Sequence, residues 1–129
     1  MKQFSLRTRG RTQFVDITGE VQAAVSALGL RDGVVTVFAP HTTAGLTINE
    51  HADPDVAADL AAALDRMVPW DAGYEHAEGN AAAHVKASLV GSSVRVLVAG
   101  GRLRLGTWQG IFFCEFDGPR EREVWVAGA

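Results

Sequence analysis

The chain has 129 residues, of which 47% are hydrophobic and 21% are charged. This composition is typical of a soluble globular protein, and the length suits one domain spanning residues 1–129. The 12 basic and 15 acidic residues give a net charge of −3, which argues against the uniformly basic surface that non-specific nucleic-acid binding requires. No apolar run is long enough to cross a membrane and no signal peptide is visible, so we expect a cytoplasmic protein without membrane association. The single cysteine, Cys114, excludes an intrachain disulfide and is expected to be buried and unreactive.

The first part of the chain predicts two strands and a helix. Residues 2–9 and 12–17 alternate in polarity, which indicates an opening β-hairpin. Apolar residues then recur at helical spacing, with Thr18 in the N-cap position and Gly29 directly after the last turn. We therefore expect a first helix over 18–28.

The middle of the chain predicts two further strands and a second helix. Residues 33–39 form a β-branched run, and residues 44–49 form another short strand. The sequence Asp53-Pro54-Asp55 is a strong helix start, because an aspartate caps free backbone N–H groups and a proline fits the first helical position.

The last part predicts a loop, a third helix and a sheet. The polar loop 69–79 carries two aromatic residues and is expected to cover a site. Asn80 is expected to cap a helix over 81–90, which Gly91 ends. Four strands are expected to follow as a meander, at 94–99, 102–106, 108–116 and 121–127. The order of elements predicts an α+β fold with a mostly antiparallel sheet and about three helices.

All four histidines lie between residues 41 and 84, which is the first sign of a functional site. His41 follows a strand end, His76 lies in the loop, and His84 lies one turn into the third helix. Three neutral imidazoles with one open position are typical of a catalytic zinc site. The alternative is that these are hydrogen-bonded loop and helix-cap histidines. The spacing alone leaves both interpretations open.

Polar residues also gather at the end of the strand over 44–49. Asn49, Glu50 and Asp53 are expected to converge there. Asp53 is interpreted as a helix cap. For Glu50 the two interpretations are a solvated carboxylate and a carboxylate that acts as a base or binds a metal.

The third helix presents polar residues on two sides. His84 and Ser88 are four residues apart and share a face, whereas Lys86 points about 160° away. Lys86 is therefore expected to serve another part of a ligand, to face another subunit or to be solvated. Asn80 and the free N–H groups of residues 81–83 form a potential anion site.

Two further features have a structural and a functional interpretation. Alternating arginines such as Arg120 and Arg122 form either a solvated sheet face, balanced by Glu121 and Glu123, or a phosphate clamp, and the solvated face is favoured. Trp108 is either a core residue or a stacking surface for a heteroaromatic ring.

Three long segments make the sequence recognisable: HTTAGLTINEHADPDV, HAEGNAAAHVKASLVGSSV and GRLRLGTWQGIFFCEFDGPR. In this order they resemble the YjbQ-like family, also called the secondary thiamine-phosphate synthase enzyme family, over nearly the whole chain. The resemblance implies a single α+β domain that assembles into a homotrimer with polar clusters near subunit contacts. It also implies a secondary thiamine-phosphate synthase activity, and a divalent metal in some members.

The resemblance implies three groups of site residues. The metal ligands are His41, His76 and His84. The catalytic residues are Asn49, Glu50, Lys86 and Ser88. The substrate-binding residues are Thr43, Asn80, Thr107, Trp108 and Gln109. The matching positions also include Asp53 and Gly106.

Two positions depart from the family pattern. His51 stands where the family usually has asparagine, and Ala82 stands where it often has aspartate. The missing carboxylate at Ala82 removes a group that would orient His84. His51 is either a replacement ligand or a surface residue without a role.

The first functional hypothesis is a metal-assisted enzyme that acts on a phosphorylated small heterocycle. Thiamine-phosphate synthesis joins a hydroxymethylpyrimidine diphosphate to a thiazole phosphate and releases pyrophosphate, so charge on the leaving group must be stabilised. Lys86 is expected to meet substrate phosphate, and Glu50 is expected to move a proton or position a water.

Two alternatives follow from the same residues. Imidazoles favour Zn²⁺, whereas a diphosphate substrate usually brings Mg²⁺, so a metal-dependent hydrolase or lyase is a close enzymatic alternative. The other alternative is a trimeric protein that binds a metal or a metabolite without turnover.

Overall fold

The computed structural model describes residues 1–129 in eight strands and three helices. In chain order the elements are β1 (Lys2–Arg7), β2 (Gln13–Asp16), α1 (Thr18–Leu28), β3 (Gly33–Phe38), β4 (Ala44–Glu50), α2 (Pro54–Met67), α3 (Ala81–Val90), β5 (Ser93–Ala99), β6 (Arg102–Leu103), β7 (Gln109–Glu115) and β8 (Glu121–Gly128). The predicted α+β class with three helices is confirmed.

The strands form two antiparallel sheets. One sheet has five strands in the order β1-β8-β3-β5-β6, and the other has three in the order β2-β7-β4. The main hydrophobic core joins buried residues of both sheets to α1. A second cluster joins β7 to α3.

β7 is buried on both faces. Ile111 and Phe113 belong to the main core, whereas Phe112 and Cys114 belong to the second cluster. Successive side chains of a strand point to opposite faces, so a strand covered on both sides has a continuous apolar run. Burial raises the pKa of the Cys114 thiol, and the predicted burial of this residue is confirmed.

A close backbone approach fixes the end of α3 on the start of β4. The backbone N–H of Leu46 donates to the Gly91 carbonyl at 2.9 Å. A Cβ atom on Gly45 would lie 2.5 Å from the same oxygen, so only glycine fits there. This contact places the polar face of α3 beside residues 41–44.

The predicted opening hairpin is wrong. β1 pairs with β8 and β2 pairs with β7, so the two strands belong to different sheets. Residues 8–12 carry the chain between the sheets, and the Thr8 hydroxyl holds this crossing by donating to Glu115 Oε1 at 2.7 Å.

The predicted C-terminal meander is also wrong, apart from the pairing of β5 with β6. β7 is the central strand of the three-stranded sheet, and β8 lies between β1 and β3 in the five-stranded sheet. The physical reason is burial: the double-sided apolar run of β7 requires a central position with a layer on each side.

The predicted helix bounds of α1 and α3 are confirmed, but their predicted side-chain caps are not present. Thr18 is the first helical residue, and its hydroxyl donates to Asp16 Oδ1 at 2.6 Å. Asn80 makes no side-chain cap and instead donates to Asp117 Oδ2 at 2.8 Å. A cap needs the side-chain oxygen as an acceptor, but the Thr18 oxygen accepts from the Ile111 N–H at 2.9 Å, and the Asn80 Oδ1 atom accepts no hydrogen bond.

α2 begins as predicted but is weakly buried. The Asp53 carboxylate accepts from the backbone N–H of Asp55 at 2.9 Å, which confirms its capping role. None of the residues of α2 is fully buried in the chain. None of the helices is long and apolar enough to cross a membrane.

Candidate functional site

Three adjoining cavities surround the start of β4 and the polar face of α3. Their volumes are about 480, 450 and 230 Å³, and Thr42 lines all three. His84 lines the largest and the smallest, so it stands at the junction between them. We call this region the histidine cavities.

Asp117 organises the smallest cavity. Its Oδ2 atom accepts from Asn80 Nδ2 at 2.8 Å and from Arg120 Nη2 at 3.1 Å. Arg120 Nε also donates to the Asp117 carbonyl at 2.9 Å. One carboxylate thus fixes an amide and a guanidinium at the N-terminus of α3. The Asn80 Oδ1 atom is buried there without a hydrogen-bond partner.

His76 and His84 face each other across this cavity. Their ring centroids are 5.2 Å apart and the rings are nearly perpendicular. The Glu78 carboxylate lies 3.9 Å from His76 Nε2. The loop over 69–79 therefore brings an imidazole to α3, as its predicted covering role requires.

His41 lies in the neighbouring cavity and is held by β8. Its Nε2 atom lies 3.0 Å from the backbone nitrogen and 3.1 Å from the carbonyl oxygen of Glu123. Burial lowers the pKa of His41, and the nearby Arg122 guanidinium lowers it further. Nδ1 is the ring nitrogen that β8 does not engage.

A buried ion pair forms the wall behind His41. Arg122 donates from Nε to Glu115 Oε1 at 2.8 Å and from Nη2 to Oε2 of the same carboxylate. Burial raises the pKa of Glu115, but its hydrogen bonds with Arg122, Asp117 and Thr8 lower it more, so the net shift is downward. Arg122 also donates to the Thr43 hydroxyl at 2.9 Å, which turns that predicted substrate-binding group toward the wall.

The other end of β4 holds a second group of predicted residues. Gln109 pairs in register with Glu50, and the Gln109 side chain accepts from the Gly106 N–H at 2.8 Å. Trp108 is 62% exposed, which contradicts its interpretation as a core residue. We call Asn49, Glu50, Thr107, Trp108 and Gln109 the turn cluster.

The turn cluster and the histidine cavities lie at opposite ends of one strand. The seven residues of β4 separate them by about 20 Å at the usual rise per residue. Within one chain, Glu50 therefore does not reach the imidazole of His84. His51 does not line the histidine cavities. It lies beside the turn cluster, where its backbone N–H donates to the Trp108 carbonyl at 2.9 Å and its ring pairs with Asp16 at 2.8 Å.

Lys86 leaves the polar face of α3, as its position in the sequence predicts. His84 and Ser88 line one cavity together, which confirms their shared face. Lys86 is 1% exposed, and its ammonium forms an ion pair with Asp65 of α2. It is neither solvated nor directed into the histidine cavities. A role for it toward substrate phosphate stays a prediction.

Sequence reasoning missed several residues that line the cavities. Thr42, Ser92 and Asp117 were not singled out, because nothing in their spacing distinguishes them from ordinary loop residues. The alternating arginines were noted, but the favoured solvated face is wrong for Arg122, which is 4% exposed and pairs with Glu115.

Comparison with known proteins places this site in a family. The family model described as "UPF0047 protein YjbQ-like" matches residues 2–128. The chain belongs to the YjbQ-like UPF0047 family. UPF0047 protein YugU of Bacillus subtilis is 50% identical over 127 residues, which cover 98% of this chain and 96% of that protein. UPF0047 protein MJ1081 of Methanocaldococcus jannaschii is 47% identical over 124 residues, which cover 96% and 90%.

Solved structures of the YjbQ-like family share the whole fold. A crystal structure from Clostridium acetobutylicum is 53% identical, with a TM-score of 0.98 and complete coverage of both chains. A structure from Thermus thermophilus is 45% identical, with a TM-score of 0.93 and complete coverage of both chains. The names of these relatives state no reaction, so the likeness establishes family and fold.

The donor set fits the divalent metal implied for some YjbQ-like proteins only in part. His76 and His84 face one cavity, and the orphaned Asn80 Oδ1 atom lies in the same region. His41, however, uses Nε2 toward β8, and it shares the largest cavity with His84 but not with His76. No group of three or more His, Cys, Asp or Glu side chains is arranged to hold a metal ion in the chain. The three-histidine assignment stays a prediction.

Proposed function

We propose that the histidine cavities bind a phosphorylated small heterocycle and act on it, with thiamine-phosphate synthesis as the reaction of reference. The observation that carries the proposal is the convergence of Arg120, His76 and His84 at the N-terminus of α3. A helix N-terminus and a guanidinium are both suited to a phosphate group. The unsatisfied Asn80 Oδ1 atom offers an acceptor for a ligand N–H.

Thiamine-phosphate synthesis requires the side chains of the histidine cavities to stabilise a leaving group. The thiazole nitrogen forms a bond to the methylene carbon of the pyrimidine, and the bond from that carbon to the diphosphate oxygen breaks. The electron pair leaves with pyrophosphate, so the site must stabilise negative charge. In the proposal the Arg120 guanidinium meets this charge.

The turn cluster completes the proposed site across a subunit contact. Glu50 is too far from His84 to act within one chain, yet it pairs in register with Gln109, the residue next to the exposed Trp108. In the homotrimer that we propose, the turn cluster of one subunit lies on the histidine cavities of its neighbour. The indole of Trp108 then stacks on the heterocycle, and Glu50 transfers a proton or positions a water.

The proposal includes a divalent metal at His41, His76 and His84. Neutral imidazoles favour Zn²⁺, and Mg²⁺ would enter with a diphosphate substrate. A bound metal would supply Lewis-acid stabilisation of the leaving group. Metal analysis by mass spectrometry tests this: His84→Ala is expected to lose the ion, while His51→Ala keeps it.

Binding of thiamine phosphate, measured by calorimetry, tests the phosphate site. We expect Arg120→Ala to weaken binding by roughly tenfold or more, as loss of a charged hydrogen bond implies. The exposed Arg95 of β5 provides a matched control, and Arg95→Ala should leave the affinity unchanged. Equal weakening in both variants would show only a non-specific charge effect.

Turnover separates the enzyme from a binding protein. Protein purified from a host without its own thiamine-phosphate synthase is assayed for product. We expect Glu50→Gln and Lys86→Ala each to lower turnover by about 10²–10⁴-fold. Because Lys86 is buried in an ion pair, its variant is compared at equal folded fraction. Wild-type turnover in both variants would favour the binding-protein alternative.

A further inference from the structure

A second pocket of about 420 Å³ lies between α2 and the three-stranded sheet. It shares no lining residue with the histidine cavities. Phe14 and Phe112 provide aromatic walls, with ring centroids 6.4 Å apart. Ala57, Ala58 and Ala61 form the wall on α2. We call this the Phe14 pocket, and its volume is within the range of small-molecule sites.

One end of the Phe14 pocket carries an oriented imidazole. His51 Nδ1 lies 2.8 Å from Asp16 Oδ2. The other oxygen of Asp16 accepts from the backbone N–H of Thr18 at 3.0 Å and from its hydroxyl at 2.6 Å. The Thr18 hydroxyl in turn accepts from the Ile111 N–H at 2.9 Å. This chain of hydrogen bonds fixes the ring of His51 and leaves Nε2 for a ligand.

The backbone beneath His51 is shaped to receive its ring. A Cβ atom on Gly110 would lie 2.3 Å from His51 Nδ1 and 2.4 Å from Cγ. Only glycine allows this approach. The position of His51 is therefore built from three elements, namely β2, β7 and the segment that leads into α2.

The charges around the pocket select a cation. Asp16 and Asp53 line it, and no lysine or arginine does. The Arg11 guanidinium points elsewhere, at 4.3 Å from the Trp70 ring. The N-terminus of α2 is closed to anions, because the Asp53 carboxylate already caps it.

We propose that the Phe14 pocket binds a small organic ammonium ion with an apolar or aromatic body. The ammonium group donates to His51 Nε2 and is attracted by the Asp53 carboxylate. The apolar body lies against Phe14, Phe112 and the alanines of α2. The inference does not rest on the proposed function of the histidine cavities.

Amide chemical shifts in the full-length protein test the proposal, with 2-phenylethylamine as the probe. We expect saturable shifts at Phe14, Ala57 and Phe112. The neutral isostere 2-phenylethanol should bind roughly fivefold more weakly, and the anion 3-phenylpropanoate weaker still. Binding of the anion as tight as that of the amine, or no saturable shifts at all, would overturn the proposal.

Two pairs of variants localise the effect. Ala58→Leu fills the pocket and should abolish the saturable shifts, whereas Ala62→Leu on the exposed side of α2 should keep them. Asp53→Asn keeps the helix cap but removes the charge, and should weaken amine binding roughly fivefold without weakening alcohol binding. Undiminished amine binding in Ala58→Leu would overturn the assignment of the binding site. If Ala58→Leu does not fold, Asp53→Asn provides the test, and amine binding as tight as in the wild type would then overturn the proposal.

Discussion

At the scale of single residues, Arg122 and Glu115 form a buried ion pair that joins the two sheets. Both side chains are almost fully buried, at 4% and 0% exposure. The pair stands behind His41 and connects β7 to β8 through charged hydrogen bonds. Removal of one partner leaves the other charge buried without compensation.

We therefore expect Arg122→Leu to lower the free energy of unfolding by about 3–5 kcal/mol. The double variant Arg122→Leu/Glu115→Leu should recover most of that loss, because no buried charge remains. Urea denaturation of the three proteins measures both effects. A double variant as unstable as the single one would show that packing, not the unpaired charge, carries the loss.

Asp16 makes stability depend on acidity in a defined direction. Burial raises its pKa, but hydrogen bonds from Thr18 and His51 outweigh this and leave the pKa below its usual 3.8. The folded carboxylate thus holds its proton less tightly than the unfolded one. The stability that it supplies is present above the usual pKa and is lost as the pH falls through the folded pKa.

Asp16→Asn is expected to lower stability at neutral pH by about 1 kcal/mol, because charged hydrogen bonds are lost. The variant should also lose less stability than the wild type as the pH falls below about 4. Thermal unfolding at a series of pH values measures this difference. Parallel curves for the two proteins would show that Asp16 does not contribute to the acid dependence.

The sequence predicted the positions of side chains where these depend on local helix geometry, but not where they depend on contacts between sheets. The helical spacing of His84 and Ser88 correctly gave a shared face, since that depends only on local geometry. The inward turn of Arg122 was not predictable, because an arginine in an alternating strand pattern usually faces water. Its partner, Glu115, lies in another strand of the opposite sheet.

At the scale of elements, α2 is the only one of the three helices without a fully buried residue. Met67 at its end is 69% exposed. Ala57 and Leu64 pack against the second cluster. The ion pair between Asp65 and the buried Lys86 links α2 to α3.

We expect Asp65→Asn to destabilise the protein by about 1–3 kcal/mol, because it leaves a buried ammonium without its counterion. Asp59→Asn, another exposed aspartate of α2, is the matched control and should change stability by less than about 0.5 kcal/mol. Hydrogen exchange of α2 should accelerate in the first variant only. Equal effects would indicate that the helix responds to its total charge rather than to Lys86.

Helix and strand positions followed from the sequence, but strand partners did not. Alternation tells which face of a strand is buried and not which strand lies beside it. β1 and β2 therefore looked like a hairpin although they join different sheets. The double-sided apolar run of β7 was the available signal for a central strand covered by a helix layer.

At the scale of the whole molecule, the proposed site requires more than one chain. The turn cluster and the histidine cavities are separated by the length of β4, and the apolar Trp108, Leu89 and Met67 are largely exposed. The sequence could not predict this separation, because it gave the residue types of the site but not the distances between them. Association into a closed trimer would bring the ends of different chains together.

A mixture of two inactive variants tests the shared site. Glu50→Gln keeps intact histidine cavities, and His84→Ala keeps an intact turn cluster. In randomly mixed trimers, roughly a quarter of the subunit contacts would pair the two intact halves, so about a quarter of the wild-type turnover should return. Light scattering first tests whether the protein is a trimer, and a monomer at micromolar concentration would contradict the shared site. A mixture that stays inactive would show that the turn cluster of one subunit and the histidine cavities of its neighbour do not form one site.

The most direct measurement of the central claim is the nitrogen chemical shift of each imidazole during titration with thiamine phosphate. We expect saturable shifts for His76 and His84, with Arg120 Nε shifting at the same ligand concentrations and His51 unchanged. Shifts confined to His51, or no saturable shift at His76 and His84, would contradict the assignment of the histidine cavities as the binding site of a phosphorylated metabolite.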